Sequence, residues 1–579
     1  MYTVIENVRI VLSLLKSHGI KKIVISPGGS NIPIAQGAQQ DPFFECYSVV
    51  DERSALYFAI GLFLESGEIV AVSCTSANAT RNYIPGLTEA YYKHVPILAI
   101  TMSKHPMYLG QEYMQCPIQI SLPIDSVKKS YSLPRIVSDY ERNQCIRTAN
   151  EAILELTHHG MGPVQLNIEA IDSETWILAD KQLPIVRTIN RFRSSQNVSI
   201  SNRKVLLIIG ESRGFNNEEE QLINQFANNN NVAIYVNHIS NYSGPYAINA
   251  NLTIKSMTQA LFDEELKPDI LLSIGGITGD YDIYDKLLNS SGIEHWRISV
   301  DGDVVDTYNK LTRIYECTIS SFFANIVCKE NCNHDYFLKW KKYVNNIKLL
   351  EEIPFSNLYA AQRLYRKIPI NSIVNFAILN SLRVWSYFPL DKSIKCYANV
   401  SSFGIDGCMS TFLGESVNTD KLCFLIIGDL SFFYDMNSIG IRHIKNNVRI
   451  LLVNNNGGAE FKLRDLQYQT NVGDYISAEG HFLNAKGWAE TEGYLYISAH
   501  NKDEFMAVED MFVSNNDKPI LLEIFTASED EKQANDLIVQ KNRSVANKER
   551  LRESAKDGIE RVLGAKRTAN IKQMIHAAK

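Results

Sequence analysis

The sequence predicts an α/β protein built of three doubly wound parallel-sheet domains. Three observations carry the prediction. Short apolar runs alternate along the chain with stretches of helical period, the pattern of strands joined by crossover helices. At 579 residues the chain is long enough for three or four domains with sizeable buried cores. The run Phe424-Leu425-Ile426-Ile427 ends in Gly428-Asp429. A buried parallel strand ends this way when it delivers a carboxylate to the carboxyl edge of an open sheet, where such sheets bind ligands.

The first segment opens with an amphipathic helix (Val8, Leu12, Leu15) and a strand at Lys22–Ser26. Strands at Ile69–Cys74, Val95–Thr101 and Val164–Ile168 follow, separated by helical stretches such as Ala55–Glu65. Asp180–Asn202, with prolines, polar residues and no sustained period, reads as a linker. Lys204–Gly210 begins a second segment, with strands near Val232–Val236, Ile270–Ile274 and Trp296–Val300. Its Ile274-Gly275-Gly276 lacks the Gly-x-Gly-x-x-Gly fingerprint, so no nucleotide site is expected there. Charged and aromatic residues from His334 to Tyr343 lead into a third segment, about Pro354–Ala527. In it a helix-like stretch, Phe432–Ile444, and a second apolar run, Val448–Val453, return the chain to the edge that carries Asp429. There they deliver Asn454-Asn455-Asn456 and the Gly457-Gly458 turn. A carboxylate, an amide oxygen and an exposed backbone carbonyl are hard oxygen ligands suited to Mg²⁺ held together with a diphosphate.

Composition excludes several classes. Hydrophobic content of 45%, charged content of 21% and a net charge of −6 describe an ordinary globular protein. They favour neither nucleic acid nor an anionic membrane as partner. No apolar run approaches the roughly eighteen residues of a membrane span, and no basic and apolar leader opens the chain. The ten cysteines contain no Cys-x-x-Cys; Cys74, Cys396, Cys408 and Cys423 sit beside apolar runs, as buried reduced thiols do. Cys328, Cys332 and His334 have no second pair at metal spacing and read as chance. The expected compartment is the cytoplasm. Residues 541–579 hold eleven Lys/Arg against four Asp/Glu, with Leu551, Ala555, Ile559, Val562 and Ala565 at helical spacing. They read as a basic helical tail packed on this or a neighbouring subunit, with an acidic partner or membrane surface as the alternative.

Gly428-Asp429-Leu430-Ser431-Phe432, Asn454-Asn455-Asn456-Gly457-Gly458, Phe403-Gly404-Ile405-Asp406-Gly407, Asp51-Glu52-Arg53-Ser54-Ala55 and Cys74-Thr75-Ser76 together resemble the thiamine-diphosphate enzymes. Within these they resemble the menaquinone-pathway branch that makes 2-succinyl-5-enolpyruvyl-6-hydroxy-3-cyclohexene-1-carboxylate. The likeness runs from about Asn7 to Ile524. It implies a pyrimidine-binding domain (1–185), a central α/β domain (200–345), a diphosphate- and Mg²⁺-binding domain (354–530) and the tail beyond. It implies thiamine diphosphate and Mg²⁺ as cofactors, and homodimers or dimers of dimers with active sites between subunits. Glu52 becomes the carboxylate that shares a proton with the cofactor's pyrimidine; a helix-terminal acid fits Asp51 and Glu52 equally. Asp429, Asn455 and the Gly457 carbonyl become the metal ligands, with Asn456 the alternative if the register slips by one. Ser381, Gly404, Ile405, Gly428, Leu430, Ser431 and Phe461 complete the cofactor set, although Gly404 also suits a tight turn before a helix at Cys408–Phe412.

The chain departs from its relatives at substrate positions. The branch's arginine five residues after Asn-Ser falls on Trp385, and its arginine four residues before Gly-Ile-Asp-Gly falls on Val400. A Lys-Arg pair falls on Asp280-Tyr281, and Ser26-Pro27-Gly28 runs into Gly29-Ser30-Asn31 in place of Ser-Arg. Lys104 stands where the relatives carry arginine, and Gln115 keeps their glutamine; both join Glu52 as candidate catalytic groups. Ser30, Asn31, Ser76, Asn78, Trp385 and Glu460 are candidate substrate contacts. Arginine forks are the usual means of holding several carboxylates. The expected reaction is therefore decarboxylation of a 2-oxo acid smaller or less anionic than 2-oxoglutarate, pyruvate first, with acyl transfer to an acceptor. A non-oxidative decarboxylase, the branch's own synthase reaction and a catalytically silent subunit are the alternatives.

Overall fold

The computed structural model describes all residues except 171–173, 175, 180, 196–197, 201, 327–332, 464–472 and 564–579. The chain forms two compact units, Met1–Ser194 with His295–Thr318, and Ser195–Glu294 with Ile319–Lys579. The pair Cys328 and Cys332 lies outside the described residues, as does the end of the basic tail.

The first unit carries a six-stranded parallel sheet: β1 (Lys22–Ile25), β2 (Glu45–Ser48), β3 (Val70–Cys74), β4 (Ile97–Ser103), β5 (Ser130–Leu133) and β6 (Val164–Glu169). Their order is β2-β1-β3-β4-β6-β5. All five residues of β3 are buried, as expected of a parallel strand covered by helices on both faces. The helix Glu6–Ser17 buries Val8, Val11, Leu12 and Leu15. The helix Glu52–Ser66 starts on Asp51, whose side chain caps the Arg53 N–H, and stops at Gly67 in the left-handed region (φ 69°). The unit also contains Asn190–Phe192, paired parallel with Leu311–Tyr315, which pairs with Glu294–Ile298.

The second unit holds two sets of parallel strands. Val205–Ile209 lies between Val232–Val236 and Ile270–Ile274, with Ala247–Asn249 at the edge. The other set comprises β7 (Ile373–Phe376), β8 (Lys395–Tyr397), β9 (Cys423–Gly428), β10 (Val448–Asn454), β11 (Leu495–Ala499) and β12 (Ile520–Phe525). Their order is β8-β7-β9-β10-β12-β11, the same permutation as in the first unit. Each of these six-stranded sheets reverses its winding beside its first strand, between β1 and β3 and between β7 and β9. Open α/β sheets place their ligands in that crevice.

The α/β class with parallel-sheet regions stands as the sequence predicts. Three local expectations are corrected. Phe432–Ile444 is not one helix: Asp429–Tyr434 is α-helical and Met436–Gly440 is a 3₁₀ turn, so the chain crosses back to β10 by a short, irregular route. The strand expected at Trp296–Val300 runs Glu294–Ile298. Inside the expected linker Asp180–Asn202, Asn190–Phe192 is a strand, because pairing with Leu311–Tyr315 overrides its polar composition. Among the described residues no helix is long and apolar enough to cross a membrane. Cys74, Cys396, Cys408 and Cys423 are buried free thiols.

Candidate active site

In the first unit the candidates gather at the carboxyl ends of β1, β2 and β3. Asp51 is committed to the helix start: it accepts from the Arg53 N–H at 3.1 Å and the Ser54 hydroxyl at 2.8 Å. Glu52, the first helical residue, is half-buried and instead accepts a hydrogen bond from Asn82 Nδ2 at 3.0 Å. Its charge adds to the burial that pushes the Cys74 thiol up to about 12. The two carboxylates that a helix-terminal reading fits equally thus have different partners in the fold.

Ser30 and Thr75 hydroxyls meet at 2.6 Å, and Gly28 must be glycine because a Cβ there would lie 2.3 Å from Thr75 Cβ. Asn31 donates to the carbonyls of Ser26 and Ser73 at 2.8 and 3.1 Å, tying β1 to β3. That is a structural role, although its Oδ1 is buried without a partner. Ser76 Oγ is likewise buried and unpartnered. Asn78 opens a short helix entered through Ala77, whose φ is 68°. Lys104 places its ammonium 4.8 Å from the Tyr113 ring. With Gln115 it lines a recess of about 60 Å³ that also includes Ser103, Gln119, Ser132 and Glu169. Gln119, which sequence reasoning missed, is the hub beneath it. It accepts from the Ala77 N–H at 3.0 Å and donates to Met102 O at 2.8 Å and Asn167 Oδ1 at 2.9 Å.

In the second unit the candidates converge on the end of β9. Asp429 follows Gly428 as the first residue of the helix Asp429–Tyr434 and is 2% exposed. Its Oδ1 accepts from the Leu430 N–H at 2.7 Å and its Oδ2 from the Gly457 N–H at 3.0 Å. A ring nitrogen of His481 stands 3.1 Å from Oδ2. Burial raises the Asp429 carboxyl above its ordinary value, against the lowering effect of these donors. His481 lies 52 residues beyond Asp429 and carries no motif, so sequence offers no signal for it.

The three asparagines after β10 have separate roles. Asn454 donates to Glu523 at 2.7 Å and to Leu483 O at 2.8 Å. Asn456, at φ 65°, accepts from the Phe482 N–H at 2.8 Å. Asn455 Oδ1 is buried and has no hydrogen-bond partner. Gly457 has φ 153°, and a Cβ there would press on Glu479 Cα and Cγ at 3.0 Å and Ser477 O at 3.1 Å. The oxygen of Ile405 accepts from the Ser431 hydroxyl at 2.6 Å, fixing the Gly404-Ile405 turn to the helix that begins with Asp429. Gly407, at φ 71°, then leads into the helix Cys408–Ser416. Ser381 is buried on the helix Asn380–Trp385, and Phe461 is half-buried beside Glu460.

Trp385 does not offer a face to open space. It is fully buried, its indole N–H donates to Asn357 Oδ1 at 3.0 Å, and its ring packs 6.0 Å from Phe376. Val400 is also fully buried. A cation does stand on the same helix: Arg383, two residues earlier, is paired with Glu460 at 2.6 Å. Counting from Asn-Ser led to Trp385. The signal missed was an arginine within the same helical turn.

A buried carboxylate, an orphaned buried amide oxygen and a glycine loop fit a hard cation held with a diphosphate. Among the described residues no cluster of three or more His, Cys, Asp or Glu offers another metal site. A family model described as the thiamine pyrophosphate enzyme N-terminal TPP binding domain matches residues 6–122. Among curated proteins, the chain is similar to 2-succinyl-5-enolpyruvyl-6-hydroxy-3-cyclohexene-1-carboxylate synthases. That of Phocaeicola vulgatus is 33% identical over 550 residues, 91% of this chain and 97% of that protein. That of Bacteroides thetaiotaomicron is 33% identical over 552 residues with the same coverage, and that of Flavobacterium johnsoniae 28% identical over 549.

Proposed function

Because this chain belongs to the family of 2-succinyl-5-enolpyruvyl-6-hydroxy-3-cyclohexene-1-carboxylate synthases, thiamine-diphosphate-dependent enzymes, we propose that Asp429, Asn455 and the Gly457 carbonyl hold Mg²⁺ and the cofactor diphosphate while Glu52 serves the pyrimidine end. One observation carries the reading: the buried, unpartnered Oδ1 of Asn455 on the loop that also donates to Asp429. The commitment of Asn456 to Phe482 supports Asn455 as the amide ligand.

The reaction is decarboxylation of a 2-oxo acid with carbon–carbon bond formation. The bond between the donor's carboxylate carbon and its 2-carbon breaks and carbon dioxide leaves. The electron pair left on the 2-carbon then forms the new bond to an electrophilic carbon of the acceptor, which takes up a proton. When bound, thiamine diphosphate supplies the electron sink for that pair. Glu52 holds a proton for the pyrimidine nitrogen, and Asn82 fixes the carboxylate's direction. Gly404 and Ile405, anchored by Ser431, would help hold the cofactor. Gly428, Leu430, Ser381 and Phe461 complete its walls. Lys104 and Gln115 face the acceptor, with Ser30, Asn31, Ser76 and Asn78 beside them. Glu52 and Asp429 serve one cofactor from two copies of the chain, so the working form is a homodimer or a dimer of dimers, in the cytoplasm.

The relatives' own synthase reaction is the second reading, favoured by 33% identity over nearly their whole length. Carbon dioxide release from a panel of 2-oxo acids, each with and without isochorismate, separates the two. Pyruvate turnover favours an altered donor. Efficient use of 2-oxoglutarate with isochorismate restores the relatives' reaction.

A further inference from the structure

Arg383 and Glu460 form a bridge across the end of β9. Arg383 lies on the helix that follows β7, Glu460 opens the short helix that follows β10, and β9 runs between those two strands. Arg383 Nη1 donates to Glu460 Oε2 at 2.6 Å, with only 13% and 10% of the two side chains exposed. The guanidinium stands 6.0 Å from the Tyr281 ring, which meets Phe403 edge-on at 5.5 Å, and Phe403 immediately precedes Gly404-Ile405. The pair therefore shares a helix with Ser381, follows closely on the Gly457 loop, and is linked through Tyr281 and Phe403 to the Gly404-Ile405 turn.

Further acids stand in the same neighbourhood. Asp280 is half-buried and accepts from the Tyr235 hydroxyl and from Asn251 Nδ2 at 2.6 Å; Asp282 is 3.7 Å from Lys255. A second carboxylate on a donor needs a cation whose charge is not already cancelled. Here Glu460 cancels it, and displacing Glu460 would strand a carboxylate in a poorly solvated place.

We propose that the Arg383–Glu460 pair restricts the donor to 2-oxo acids without a second carboxylate, Glu460 occupying on Arg383 the place where that carboxylate would bind. This rests on the reading of the site as a thiamine-diphosphate decarboxylating synthase. The test uses holoenzyme loaded with thiamine diphosphate and Mg²⁺, with decarboxylation followed on pyruvate, 2-oxobutanoate and 2-oxoglutarate. Wild type should favour pyruvate over 2-oxoglutarate in kcat/KM by at least about a hundredfold, the order expected when a buried charge is left unpaired. Glu460→Gln keeps a hydrogen bond to Arg383 but removes the competing charge, so the ratio of 2-oxoglutarate to pyruvate kcat/KM should rise at least about tenfold. An unchanged ratio, or a wild type that uses both donors equally, overturns the proposal. Should Glu460→Gln fail to retain cofactor, inhibition of wild type decides. Competition by 2-oxoglutarate with an inhibition constant near the pyruvate KM overturns the proposal, and failure to compete supports it. Bound cofactor with turnover of no 2-oxo acid overturns the underlying reading, and the proposal with it.

Discussion

Oδ2 of Asp429 is a shared acceptor: the Gly457 N–H donates to it at 3.0 Å and a His481 ring nitrogen stands 3.1 Å away. The carboxylate is thereby aimed at the loop whose Asn455 oxygen has no partner. Asp429→Ala removes the aimed ligand and should weaken thiamine diphosphate binding at ordinary Mg²⁺ by about a hundredfold or more. Calorimetry reads this directly, and wild-type affinity in the variant would move the metal elsewhere.

Glu52→Gln preserves the shape and the Asn82 contact but cannot share a proton with the pyrimidine. Cofactor should still bind, while turnover falls by roughly a hundredfold or more, the scale of a lost acid–base partner. Steady-state rates on any accepted 2-oxo acid decide this. Activity within a few-fold of wild type would assign the role to another carboxylate.

Oligomeric state has its own test. Mixing Glu52→Gln subunits with Asp429→Ala subunits should regenerate some intact sites if each site draws on two chains. Mixed dimers, verified by distinct tags, should then recover activity that neither parent has. No recovery would contradict the shared site.

Trp385 belongs to the core, so its removal is a stability experiment. Trp385→Ala leaves a cavity and an unsatisfied Asn357, and should cost about 3–5 kcal/mol of unfolding free energy. Urea denaturation measures it. A cost under about 1 kcal/mol would return the ring to an open surface.

Glu415 supplies a pH dependence. Burial pushes its carboxyl from 4.5 up to about 7, partly offset by Asn375 Nδ2, which donates to Oε1 at 3.0 Å and Oε2 at 3.2 Å. A raised folded-state value means the stability it contributes is complete below the unfolded value of 4.5 and is lost as pH rises through about 7. Glu415→Gln is always neutral and offers a donor to Asn375 Oδ1, which is buried without a partner. Its Tm should exceed that of wild type at about pH 8, and the gap should close near pH 4.5. A constant gap across that window would show that Glu415 does not titrate between the two states.

The sequence was most legible where period and motif coincide. β9 is an unbroken apolar run ending in Gly-Asp, and β10 is apolar but for Arg449 and ends in Asn-Asn-Asn-Gly-Gly, so their place and their edge could be read from the chain. The assignment of Asp51 as a cap became visible only with its bonds to Arg53 and Ser54, because both acids suit a helix start. Arg383 and His481 were missed for different reasons. Arg383 is displaced by two residues from a position fixed by counting, and on a helix two residues change the face. His481 reaches Asp429 only through a fold that brings distant segments together, which no local pattern encodes.

The division of the chain into units has a consequence for its synthesis. Arg187 emerges early, but its carboxylate partner, Asp306, fully buried and 2.6 Å away, is made only after Ser195–Glu294, which belong to the other unit. The same delay separates Asn190–Phe192 from Leu311–Tyr315, its pairing strand. A ribosome that has delivered Met1–Ser194 has therefore delivered an unfinished body with an open strand edge and an unpaired guanidinium. Neither unit can be completed as a contiguous stretch of nascent chain. The two must mature in an interleaved order, and a gene cut at Ser194 yields a first fragment that lacks part of its own core and a second that carries that part, His295–Thr318, without its partner strand.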